Sequence, residues 1–95
     1  MLRRRLLLFL PVALFAPHAA AEIIPLARAF AIAEERYRGR ALDGTIARGR
    51  RHEPDLVYVI TFRTDRGDIL RIRLDAETGD LLEVTGRGQT EALRR

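Results

Sequence analysis

The first 21 residues of this 95-residue chain have the layout of a secretory signal peptide, which limits what remains to one small domain. Arg3, Arg4 and Arg5 form a positive start, Leu6–Ala16 is an apolar run of 11 residues, and Ala19-Ala20-Ala21 fits the small-x-small rule of signal peptidase. We therefore predict a Sec-type signal peptide cleaved between Ala21 and Glu22. The remaining 74 residues are expected to fold in a periplasmic or secreted location.

Two other interpretations of this segment fit less well. An uncleaved membrane anchor needs roughly 20 apolar residues, and Pro11 and Pro17 interrupt a run that is already shorter than that. The pair Arg4-Arg5 before leucines resembles a twin-arginine signal, but the positive start is short. With no cysteine to carry a lipid, we expect no stable membrane anchor after cleavage.

Composition excludes several function classes. The chain contains no cysteine, serine or lysine, so a serine or cysteine nucleophile, a catalytic lysine and a disulfide are all excluded. The formal charge is +4, but without the three arginines at positions 3–5 the balance falls to 14 arginines against 13 acids, or +1. A nucleic-acid partner is therefore not expected, because such proteins are usually net basic in the folded domain.

Hydrophobic periodicity predicts one helix over Pro25–Arg38. The residues that recur at helical spacing on one side are Leu26, Phe30, Ala33 and Tyr37. Pro25 suits the first helical position, and Gly39 is a suitable C-terminal stop. This side of the helix is expected to face the core.

After Gly39 the period changes to two, which predicts strands. We place them at Arg40–Arg48, with Gly44 indicating a bulge, and at Leu56–Thr64, Asp68–Leu74 and Leu81–Val84. Hairpin turns are predicted at 65–67 and 75–80, and residues 86–95 are predicted to be a disordered tail. The fold class is thus α+β, with the N-terminal helix packed on a small antiparallel β-meander whose core residues are Tyr58, Ile60, Phe62, Leu70, Ile72 and Leu74.

These elements, in this order, resemble the PepSY domain. The resemblance depends on Val57-Tyr58-Val59-Ile60, on the turn Asp65-Arg66-Gly67, and above all on the D-A-x-T-G ending within 74–82. It implies a PepSY-like domain at 22–85, a type found in propeptides of thermolysin-type metallopeptidases and in small exported proteins. It implies no catalytic residue, and the family-motif positions are expected to be structural: Tyr58, Asp75, Thr78 and Gly79.

No constellation of residues predicts a catalytic or metal site. His52 lies in a polar loop with Glu53 and Asp55 but lacks the H-E-x-x-H spacing of a zinc site, so we expect a solvated loop. The acids of 75–80 resemble the start of a calcium loop, but the twelfth position is Gly86 rather than a bidentate glutamate. There a hairpin turn, with Asp and Thr side chains bonded to nearby N–H groups, is expected. We predict no enzyme activity, no cofactor and no metal.

The sheet face turned away from the helix is the predicted interaction surface. Alternation places an apolar patch beside arginines there, formed by Val57, Val59, Arg63, Arg71 and Arg73. One interpretation is a solvated face with charge pairs to Asp43 or Glu83, and the other is an interface for a protein partner or for self-association. The function predicted first is a non-catalytic envelope module that regulates a peptidase. The alternative is an accessory to the periplasmic domain of a two-component sensor.

Overall fold

The computed structural model describes residues 22–94, so the predicted signal peptide and its cleavage site lie outside the described residues. The elements in chain order are α1 (Leu26–Arg36), β1 (Gly39–Arg48), β2 (Leu56–Thr64), β3 (Ile69–Asp75), β4 (Leu81–Gly86) and the single turn α2 (Gln89–Ala92). The predicted α+β class is confirmed: a helix followed by a four-stranded antiparallel sheet. Within residues 22–94 no helix is long and apolar enough to cross a membrane.

Helix α1 begins after Pro25, whose carbonyl accepts hydrogen bonds from the N–H groups of Arg28 and Ala29 at 2.9 and 3.1 Å. Pro25 is thus the capping residue rather than the first helical one. The helix ends two residues before the predicted end, because Tyr37 has extended dihedral angles and forms a β-bridge with Leu93. The helix therefore ends where a tertiary contact with the C-terminal segment begins.

The four strands follow one another as a meander in the order β1-β2-β3-β4. The strand predicted at Leu56–Thr64 is confirmed without a shift, and both predicted hairpin turns are present. The bulge in β1 lies at Leu42, where the register shifts between Ala41 and Asp43, and not at Gly44 as predicted. A Cβ added at Gly44 would lie only 3.0 Å from Leu26 Cδ1, so Gly44 allows the close approach of α1 instead.

The core lies between α1 and one face of the sheet. All six strand residues predicted for it are buried, as are Ala33 and Tyr37 of the predicted helix side. Leu26, however, is 38% exposed, and Ala29 takes the central position. Ala29 and Ala33 are one helical turn apart and both buried, so small side chains line the contact and α1 can approach the sheet closely.

The prediction of a disordered tail from residue 86 is wrong for 86–94. Strand β4 continues to Gly86, α2 follows, and Ala92 is buried in the core cluster. The N–H of Arg38 donates to Ala92 O at 2.7 Å, and the N–H of Arg94 donates to Arg36 O at 2.9 Å. The segment is ordered mainly by backbone hydrogen bonds to the end of α1, which its polar composition does not indicate.

Candidate protein interface

The outer face of the sheet, the one turned away from α1, is built from alternate residues of all four strands. The register places Arg40 of β1 opposite Arg63 of β2, which in turn is opposite Ile69 of β3. Arg71 is the next residue of β3 on this face, and it lies opposite Thr61 of β2. Near the other end of the sheet, Val57 of β2 lies opposite Asp75.

The loop 49–55, which joins β1 to β2, covers one half of this face. Its Glu53 accepts two hydrogen bonds from the Arg73 guanidinium, from Nε at 2.9 Å and from Nη2 at 2.8 Å. The N–H of Arg50 donates to the same carboxylate at 2.8 Å, and Arg50 Nη1 contacts Glu83 Oε1 at 2.8 Å. The loop is therefore fastened to β3 and β4 by a network of two ion pairs.

The ion pair changes the ionisation of both partners. The hydrogen bonds from Arg73, followed by the backbone hydrogen bond from Arg50, lower the pKa of Glu53 from 4.5 to about 2 and outweigh the effect of burial. The hydrogen bond with Glu53 likewise raises the pKa of Arg73. Both groups thus remain charged under ordinary conditions, and their charges neutralise each other inside the covered half.

Two of the five predicted interface residues are therefore not on the exposed surface. Val57 is fully buried, and Arg73 is only 8% exposed because of its ion pair with Glu53. Val59 is half-buried, whereas Arg63 and Arg71 are exposed in the half that the loop leaves open. The expected charge pairs are also different, since Glu83 pairs with Arg50 of the loop.

The open half carries what we call the basic patch, formed by Arg40, Arg63 and Arg71. All three side chains are exposed, and none of them takes part in an ion pair within residues 22–94. Ile69, 48% exposed, lies directly beside Arg63. The arrangement therefore combines three exposed arginines that form no ion pair within residues 22–94 with an exposed apolar side chain.

Arg40 was not predicted to lie on this surface. Strict alternation through β1 places Arg40 on the same side as Gly44 and Ile46, which face the helix. The bulge at Leu42 adds one residue and turns Arg40 to the outer face, opposite Arg63. An open depression beside the two arginines is lined by Gly39, Arg40, Leu42, Arg63, Thr64 and Asp65.

The four family-motif residues hold the end of the sheet opposite the basic patch. Tyr58 Oη donates to the carbonyl of Ile24 at 2.5 Å, which ties the chain before α1 to the sheet. Asp75 Oδ1 accepts from the N–H groups of Glu77 and Thr78 at 2.7 and 3.2 Å, and Thr78 Oγ1 accepts from Asp80 N–H at 3.1 Å. These bonds confirm the predicted turn chemistry.

Gly79 has a positive φ of 82° and lies beneath α1. A Cβ at this position would lie 2.6 Å from Ile32 Cδ1, so a side chain here would push against the helix. Together with the turn hydrogen bonds, this contact gives Asp75, Thr78 and Gly79 a structural role.

The polar residues that were considered as metal ligands are arranged differently. His52 is exposed in the loop, while Glu53 binds Arg73 and Asp75 caps its own turn. Within residues 22–94 no group of three or more His, Asp or Glu side chains is placed to hold a metal ion.

Comparison with known protein families matches residues 23–85 to the family model described as PepSY, peptidase propeptide and YPEB domain. No match was found among curated proteins or among solved structures. Domains of this family resemble propeptides and peptidase inhibitors, are generally non-catalytic, and act through protein contacts. They typically occur in exported proteins. Because the match covers most of the chain and the fold is the one expected of such a domain, this protein belongs to the PepSY family.

Proposed function

We propose that this protein is an exported, non-catalytic module that binds and regulates a peptidase at the cell envelope, as a propeptide domain does. The observation that carries the proposal is the match of residues 23–85 to the peptidase propeptide family. The family-motif residues of this small domain serve the fold, so we expect the regulatory effect to come from binding through its surface. The signal-like N-terminus supports a location outside the cytoplasm, where secreted peptidases mature.

The basic patch is the surface that we assign to the partner. Arg40 and Arg63 are directly opposite each other on neighbouring strands, and like charges in such pairs destabilise a sheet. An acidic partner surface would remove this repulsion on binding. Arginine is also enriched at protein interfaces, and Ile69 supplies apolar contact beside Arg63.

A test compares three proteins produced from the full sequence: the wild type, the double variant Arg63→Glu, Arg71→Glu, and a control, Arg36→Glu, Arg87→Glu. The control makes the same change in net charge at two exposed arginines, one in α1 and one after β4. Each protein is immobilised and exposed to an envelope extract of the source cell, and captured proteins are identified by mass spectrometry. A captured peptidase is then purified and assayed with each variant.

We expect the wild type and the control to capture the same peptidase and to slow its hydrolysis of a peptide substrate at a near-equimolar ratio. The basic-patch variant should do neither, since it places negative charge against an acidic surface. Capture of a sensor's periplasmic domain instead would favour the signalling role. Equal inhibition by all three proteins would contradict the assignment of the basic patch.

A further inference from the structure

Strand β1 is an edge of the sheet, and part of that edge is open. The sheet order leaves β1 with one neighbour, β2. Proteins usually protect such edges with bulges, prolines or inward-pointing charges. Here the bulge at Leu42 and the hydrogen bond from Ala41 N–H to Glu34 Oε2, 2.9 Å long, protect the first part only. The stretch from residue 43 to residue 47 contains no bulge, no proline and no inward-pointing charge, since its one charged residue, Asp43, lies on the outer face.

The register identifies the free backbone groups of this open part. Gly49 N–H donates to Asp55 O at 2.8 Å, so residues 49 and 55 form a hydrogen-bonded pair. Such pairs alternate along an antiparallel ladder, so residues 43, 45 and 47 bond to β2. The N–H and C=O groups of Gly44, Ile46 and Arg48 therefore point away from β2, toward the open edge.

The side chains along the same edge include two exposed apolar groups. Ile46 is 47% exposed and Leu26 of α1 is 38% exposed. Leu26 lies beside Gly44, as the 3.0 Å approach of its Cδ1 to a Cβ at that position shows. The edge thus offers backbone hydrogen-bonding groups together with apolar surface on the helix side.

We propose that this edge pairs with the same edge of a second copy, with a two-fold axis at Ile46. Antiparallel pairing in this register joins Ile46 to its own copy, Gly44 to Arg48 of the second copy, and Arg48 to Gly44. All three edge residues on each chain then use both backbone groups, which gives about six hydrogen bonds across the edge. The two sheets become one of eight strands.

The side chains are complementary in this register. Ile46 contacts its copy across the axis and loses its exposure, while the aliphatic part of Arg48 extends opposite Gly44 and covers Leu26. In this register Thr45 lies opposite Ala47 of the second copy and Arg48 lies opposite Gly44, so no like charges face each other across the edge. A register centred on Gly44 would extend the pairing into the bulge at Leu42, which interrupts the regular ladder, and is disfavoured.

This dimer has a geometric consequence. A two-fold axis perpendicular to the sheet keeps both α1 helices on one side and both basic patches on the other. The dimer therefore presents two basic patches on one continuous face. Its formation does not depend on the proposed peptidase partner, and it is tested on the purified protein alone.

The first experiment measures mass by sedimentation equilibrium for the protein produced from its full sequence. The matched variants are Ile46→Asp and Ile69→Asp, which make the same change at isoleucines of nearly equal exposure, 47% and 48%. A concentration range of about 5 to 500 µM suits the modest area of an edge interface. We expect concentration-dependent dimers for the wild type and Ile69→Asp, and at least a tenfold weaker association for Ile46→Asp. Circular dichroism melts check that each variant is folded.

The second experiment tests the register by oxidation of single-cysteine variants, because the chain has no cysteine of its own. In a hydrogen-bonded pair the two Cα atoms are about 5.5 Å apart, within disulfide range, so Ile46→Cys should form a covalent dimer. Thr45→Cys, about 8 Å from its own copy in this register, and Ile69→Cys should not. A monomeric wild type over the whole range, a dimer that survives Ile46→Asp, or equal cross-linking at all three positions would overturn the proposal.

Discussion

The outer sheet face has two halves that place arginines of the same strand in opposite situations. Arg73 and Arg71 are two residues apart on β3 and point the same way. Arg73 lies under the loop 49–55, is 8% exposed and is paired with Glu53, whereas Arg71 is exposed and has no ion pair within residues 22–94. The comparison teaches that the loop, rather than the strand, decides whether an arginine on this face stabilises the fold or is free for a partner.

The largest loss of stability should come from a substitution in the core beneath the open half. Phe62 is fully buried, and we expect Phe62→Ala to lower the free energy of unfolding by about 3 to 5 kcal/mol through the cavity it leaves. Thr61→Ala, at the neighbouring position on the outer face, should change it by about 1 kcal/mol or less. Urea unfolding followed by circular dichroism measures both. Similar losses for the two variants would mean that the faces of β2 are assigned incorrectly.

The next largest loss of stability is expected when an arginine of the covered half is replaced, and the same substitution in the open half provides the comparison. Arg73→Met removes the partner that neutralises Glu53 and should clearly lower the free energy of unfolding. Arg63→Met, at an exposed arginine without an ion pair, should stay within about 0.5 kcal/mol of the wild type. Thermal melts of the two variants provide the measurement. The distinction between the halves fails if Arg63→Met is as destabilising as Arg73→Met.

The ionisation of Glu53, in the covered half, should make the stability of the protein depend on pH. The pKa of Glu53 is lowered from 4.5 to about 2 in the folded protein, so its contribution is fully present above about pH 4.5 and is lost as the pH falls toward 2. Wild type and Glu53→Gln should therefore differ in melting temperature near pH 7 and converge between pH 4.5 and 2.

Glu77→Gln, changed at an exposed turn position, controls for the general loss of a carboxylate. The difference in melting temperature between Glu77→Gln and the wild type should not change with pH in the way predicted for Glu53→Gln. If the Glu53→Gln difference is unchanged down to pH 2, the ion pair with Arg73 does not stabilise the loop.

The smallest effect concerns repulsion within the basic patch. Arg63→Gln removes a charge that faces Arg40 and should raise the free energy of unfolding by a few tenths of a kcal/mol at low salt. Added salt should reduce this gain, because it screens exposed charges. Melts in low and high sodium chloride measure it, and a destabilised Arg63→Gln would indicate that the arginine has a favourable contact.

Much of the fold could be predicted from the sequence because local patterns decide it. The alternation in Leu56–Thr64 predicts the strand and its buried side. The turn that contains Gly79 forms because the side chains of Asp75 and Thr78 accept hydrogen bonds from neighbouring backbone N–H groups. The C-terminal segment was wrongly predicted, since backbone bonds to residues 36 and 38 order it, and these are distant in sequence.

The candidate site was only partly predictable, for two physical reasons. The pairing of Glu53 with Arg73 joins residues 20 positions apart through a folded-back loop, which local polarity predicts only as solvated. The place of Arg40 depends on the bulge at Leu42, because one inserted residue moves every preceding side chain of the strand to the other face. The positions of Arg63 and Arg71 depend neither on the folded-back loop nor on the bulge. Both were predicted on the exposed face, where the structure places them.

The central claim is that the open half of the outer face contacts the partner and the covered half does not. The most direct measurement is NMR of the isotope-labelled protein with the peptidase that it captures, following backbone amide signals through the titration. We predict the largest shifts at residues 40, 61, 63, 69 and 71, with little change in the loop 49–55 or on the solvent side of α1. Shifts concentrated in the loop or in α1, with the basic patch unperturbed, would contradict it.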